Sequence, residues 1–137
     1  YAAGDVAGAK KALDELLKRN RRHGPALGLA GIIALKQNDL RTARDRFEHA
    51  VKRSPEDARL HTNLAIIYDG MRKKKAALRE LRKAVALDPN LAEARFNLAI
   101  LLVSEKPPKL TEAKHHYQTA LQLGSTCDER LEKILYQ

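Results

Sequence analysis

Residues 43–55, ARDRFEHAVKRSP, and residues 77–89, ALRELRKAVALDP, carry one pattern: an alanine, a large apolar residue, a second alanine and a closing proline. Ala43 and Ala77, Ala50 and Ala84, and Pro55 and Pro89 each lie 34 residues apart. Phe47 and Leu81 keep that interval with a change of apolar type. The interval extends outward through Asn63 and Asn97, Ile66 and Ile100, and Asp5 and Asp39. A period of this length marks a repeated supersecondary unit. Such a unit cannot bury its apolar face alone, so it stacks on its neighbours.

Within one period the pattern predicts two helices. In residues 24–57 the first begins near Pro25, a residue suited to a first helical turn. It carries Leu27, Ala30, Gly31 and Ala34. Asn38-Asp39 makes the turn. The second helix carries Ala43, Phe47, Ala50 and Val51 at helical spacing, and Ser54-Pro55 stops it. Residues 58–91 repeat this with Leu64, Ala65 and Tyr68, then Ala77, Leu81, Ala84 and Pro89. Residues 92–125 open with Leu98-Ala99 and Leu102. They take two extra residues in the Lys106-Pro107-Pro108-Lys109 turn before Ala113, Tyr117 and Ala120 resume the register.

These positions resemble the tetratricopeptide repeat family: a large residue, Leu-Gly, Tyr, then Ala, Phe, Ala and Pro within one repeat. The large first residue is Leu27, His61 and Arg95 in turn, never tryptophan. The resemblance implies an all-α fold, a right-handed α-solenoid of antiparallel helix hairpins. It divides the chain into 24–57, 58–91 and 92–125 as repeats, the last with the two-residue turn insertion. Residues 126–137 form a C-terminal capping helix with Leu131, Ile134 and Leu135. Gly4-Asp5, Ala9, Leu13 and Leu16 match the turn and second helix of an earlier repeat, so residues 1–23 are expected to be the remainder of a truncated one.

The resemblance also implies a groove lined by the first helices. Carried over residue by residue, its lining includes Ile32, Lys36, Arg59, Thr62, Asn63, Ile66, Asp69, Phe96, Asn97 and Ile100. Ile32, Ile66 and Ile100 share one register position and predict an apolar stripe, exposed or partly buried between helices. Asn63 and Asn97 stand where related proteins hold a peptide backbone through side-chain amides, which both donate and accept. The alternative is a bond within their own repeat, and Leu29 interrupts the series in the first repeat. Family members that clamp a terminal carboxylate need cations and amides at places occupied here by Gly28, Ile32, Asn63, Glu93 and Asn97. Only Asn63 fits, so that ligand class is excluded.

Composition narrows the remaining choices. Apolar residues are 44% and charged residues 31%, a globular balance. No apolar run approaches the ~20 residues that cross a bilayer. The net charge of +9 permits an acidic partner, nucleic acid or an anionic surface. Basic runs at residues 18–22 and 72–75, with Arg41, Arg44, Arg46, Lys52 and Arg53, are expected on the outer side. Aromatic residues are 4%, too few for a base-stacking platform. Cys127 is alone, so neither an internal disulfide nor a cysteine zinc site forms. His115 and His116 are adjacent and point about 100° apart on a helix, which suits no metal. Phosphate-loop and nucleophile-elbow motifs are missing.

The sequence therefore predicts a non-catalytic protein-interaction module, without cofactor or small-molecule substrate, holding a peptide or partner helix in its groove. The alternative is an assembly scaffold that oligomerises through its open N-terminal edge or docks on an anionic surface through its basic side. Localisation stays open, between a cytoplasmic default and export or the periplasm.

Overall fold

The structure, a computed structural model, describes residues 39–137. The expected truncated repeat and the first helix of the repeat 24–57 lie outside them. The described residues form six helices and no strand: α1 (Leu40–Arg53), α2 (Ala58–Gly70), α3 (Lys74–Leu87), α4 (Ala92–Val103), α5 (Leu110–Gln122) and α6 (Glu129–Tyr136).

Local chemistry sets the ends. Asp39 caps α1, accepting from the Thr42 N–H at 3.2 Å and the Thr42 hydroxyl at 2.7 Å. Asp57 caps α2 by accepting from the Arg59 N–H at 3.0 Å. Asp128 caps α6 by accepting from the Leu131 N–H at 2.9 Å. Helices α1 and α3 stop at Ser54 and Asp88, each followed by a proline that disfavours helix before it.

Two helices end in the same doubly bonded turn. After α5, the Ser125 N–H donates to the Ala120 carbonyl and the Gly124 N–H to the Leu121 carbonyl, with Gly124 at φ 107°. After α2, the Lys73 N–H donates to the Tyr68 carbonyl and the Arg72 N–H to the Asp69 carbonyl. Here the left-handed position is held by Arg72 at φ 61°, where a Cβ crowds the carbonyl. Arg72→Gly should therefore raise stability by about 0.5–1 kcal/mol. The relief of a left-handed side chain is about 1–2 kcal/mol, and the added unfolded-state entropy takes back about 0.4–1. Chemical denaturation checks this, and a loss of stability would contradict the turn.

The core rests on the repeated small residues. Ala43, Ala50, Ala77, Ala84, Ala113 and Ala120 are all fully buried, at 0% exposure, where helices approach closely. Between them, Phe47, Leu81 and Tyr117 fill one equivalent space on α1, α3 and α5. Burying a side chain of that size contributes about 1.5–3 kcal/mol.

Polar latches join one hairpin to the last. The ring of His61, buried on α2, puts Nδ1 2.6 Å from a Glu80 carboxylate oxygen on α3. Its Nε2 lies 2.7 Å from the Pro55 carbonyl in the preceding turn. The Pro55 carbonyl can only accept, so Nε2 donates to it. On α4, Arg95 repeats the device. Its Nε donates to the Pro89 carbonyl at 3.0 Å, and Nη1 lies 3.0 Å from His116 Nδ1 on α5. Burial first, then the Arg95 charge, holds His116 below the usual imidazole range, which leaves the ring neutral to accept. An Arg82 to Glu112 ion pair ties α3 to α5, and that hydrogen bond holds the Glu112 carboxyl below its ordinary range.

Each hairpin, α2 with α3 and α4 with α5, packs more extensively within itself than across the seams α1/α2 and α3/α4. The first helices of successive hairpins touch, α2 on α4 and α4 on α6, while α1, α3 and α5 stand further apart. A row closer on one side than the other is curved. Helices α2 and α4 line the inside of an all-α solenoid of helical hairpins.

Candidate functional site

The inner face is built by residues three apart on α2 and α4, which share one side of each helix. Ile66 and Asp69 on α2 face Asn97 and Ile100 on α4 across a hollow of about 170 Å³. Leu81 of α3 and Leu101 help to close it. The alanines at the helix crossings draw the backbones close, and the larger Ile66 and Ile100 stand as its walls. Ile66 is half-buried and Ile100 is 39% exposed, so the apolar stripe opens toward α4. The Asp69 carboxylate is exposed and makes no ion pair or side-chain hydrogen bond among the described residues.

Asn63 and Asn97 are both half-buried. Among the described residues neither amide makes a hydrogen bond, which disfavours the expected alternative of a bond within their own repeat. Each amide therefore has an unused donor and acceptor among the described residues.

A second hollow, of about 330 Å³, lies further along the same side between Glu93 and Phe96 of α4 and Ser125 and Thr126 ahead of α6. Phe96 is half-buried against Tyr117, with ring centroids 6.2 Å apart. The sequence reading missed Ser125, which stands where the earlier repeats carry Pro55 and Pro89, and Thr126, which follows the last repeat. It also missed Leu81, reading it only as core.

Thr62 corrects the expected groove lining. It is fully buried, and its hydroxyl donates to the Ala58 carbonyl at 2.8 Å. Ala58, Thr62 and Ala65 form one buried stripe on α2, so rotation of the helix turns Thr62 into the packing rather than toward a ligand. Arg59 is exposed at the start of α2 and lines neither hollow. Ile32 and Lys36 lie outside the described residues.

The outer side is basic. Arg41, Arg46, Lys52 and Arg53 on α1 and Lys75 and Arg79 on α3 make no ion pair among the described residues. Among the described residues, α2 and α4 carry Arg59, Asp69 and Glu93 on the inner side, while Arg95 is turned onto Pro89 and His116. Cys127 is exposed. No helix among the described residues is long and apolar enough to cross a membrane.

The geometry has counterparts in known proteins. A family profile described as the tetratricopeptide repeat matches residues 1–67 and 34–90. MamA residues 41-end from Desulfovibrio magneticus RS-1 superposes with a TM-score of 0.77 at 29% identity, over 88% of this chain and 67% of its own. The first TPR of Spaghetti bound to HSP90 peptide SRMEEVD gives a TM-score of 0.73 at 27% identity, over 81% of this chain and 89% of its own. YrrB, a TPR protein with an unusual peptide-binding site, gives 0.77 at 24% identity, over 90% of this chain and 62% of its own. This chain spans 64% to 67% of the length of three MamA structures and 89% of a fourth.

Proposed function

We propose that this chain, which belongs to the tetratricopeptide repeat family, is a non-catalytic interaction module that holds a peptide or partner helix along α2 and α4. The observation that carries this reading is the pair of unbonded amides, Asn63 and Asn97, beside an apolar hollow walled by Ile66 and Ile100. Amides grip a backbone without reading its sequence, and the hollow takes a side chain from it. The Spaghetti domain, similar in fold and bound to a peptide, supports peptide binding by this fold.

The test is a binding titration with peptides selected by this chain from a random display library. Removing both amides, Asn63→Ala with Asn97→Ala, should weaken them about tenfold or more, since each hydrogen bond contributes about 0.5–1.5 kcal/mol. The oligomeric state and thermal midpoint should not move. The basic outer side favours a second reading, a scaffold docked on an anionic surface. That reading expects the reverse: peptide binding unchanged and assembly altered.

A further inference from the structure

We infer that the hollow between α2 and α4 is a subsite for one lysine or arginine side chain of the bound segment; this rests on the groove reading above. The charge of the molecule is arranged against expectation. Among the described residues, Arg41, Arg46, Lys52, Arg53, Lys75 and Arg79 stand unpaired on the outer helices, while an unpaired carboxylate, Asp69, stands at the rim of the inner hollow.

The walls below that carboxylate are apolar. Ile66 and Ile100 face each other, and Leu81 and Leu101 close the space. About 170 Å³ suits one long side chain and is smaller than the ~300 Å³ at which small-molecule sites begin. Lysine and arginine match this gradient, because their methylene stems pack on apolar surface while the charged head reaches a polar rim. Asn97, in the same wall, is placed to hold the backbone from which that side chain enters.

An acidic side chain would meet the opposite conditions. It would bring a second negative charge to Asp69 and leave its own head short of donors. A purely apolar side chain would fill the hollow and leave Asp69 without a partner. The register makes the subsite single: the places equivalent to Asp69 hold Leu35 and Val103 in the neighbouring repeats. One basic residue at one position of the ligand is the expected signature.

The experiment is a parallel selection from a random-peptide display library at physiological salt, against the native chain and Asp69→Asn. The native chain should enrich lysine or arginine at one register position, and Asp69→Asn should lose that enrichment. A selected lysine peptide should bind Asp69→Asn more weakly by roughly fivefold, the upper end for a solvent-accessible ion pair. Its lysine-to-norleucine version should bind both proteins alike, which isolates the pair.

Selected peptides that depend on Asn63 and Asn97 but show no basic preference overturn the subsite and leave the groove reading standing. Equal binding of the lysine peptide to both proteins does the same. Groove binding of a peptide made only of acidic and apolar residues, abolished by the paired asparagine substitutions, also overturns it. Peptides indifferent to those asparagines, or no selection at all, overturn both readings.

Discussion

Tyr117→Ala is expected to destabilise the fold by about 3–5 kcal/mol, the range for emptying a fully buried aromatic site. Tyr117 has 0% exposure and packs on Phe96 across the α4/α5 hairpin. Its hydroxyl accepts from the Asp128 N–H at 3.0 Å, and Asp128 caps α6. Burial is also the leading cause holding the Tyr117 phenol above its ordinary range, so the group stays neutral at physiological pH. The substitution leaves a cavity and releases the end of the stack at once. Tyr117→Phe separates the two effects. It keeps the ring and removes only the acceptor, for about 1 kcal/mol. The measurement is urea unfolding, with a lower midpoint at unchanged slope. Amide exchange should show α6 opening first in the phenylalanine variant. A loss below 1 kcal/mol for alanine would contradict the packing described.

His61→Ala should cost about 3 kcal/mol, since a buried group left without its hydrogen-bond partner costs about 1–3 kcal/mol and two lose theirs here. The Pro55 carbonyl and the Glu80 carboxylate lose their partner together. Glu80 is not wholly stranded, because Lys83 stays 3.5 Å from its other oxygen, and that moderates the effect. Glu80→Ala should cost less, since His61 keeps its bond to Pro55. Denaturation of the two single variants and the double variant measures the coupling directly. Additive losses would show that the latch contributes nothing beyond packing.

The parts of the fold legible in the sequence were those with a steric cause that repeats. Alanine at a helix crossing admits almost no substitute, so Ala43, Ala77 and Ala113 recur and announce the register. Pro55 and Pro89 stop their helices for a reason confined to the chain itself. The latches were not legible. His61 and Arg95 hold equivalent proline carbonyls, yet their types differ, and so do their second partners, Glu80 and His116. A hydrogen bond can be made by many pairs, and chemistry that varies from repeat to repeat leaves no period. The same contrast governs the site. The family resemblance brought Ile66, Asn97 and Ile100 into the expected lining, and all three border the hollow. Thr62 does not, because its hydroxyl is satisfied by its own helix and so tolerates burial among alanines.

The unequal packing within and between hairpins has a mechanical consequence. Stiff blocks joined by yielding joints behave as a leaf spring. Its inner edge can close around a slender guest or spread for a broad one, with little change inside any block. A guest that spans α2 and α4 then acts as a brace across the joint, so occupancy should stiffen the chain along its length more than it alters any single helix.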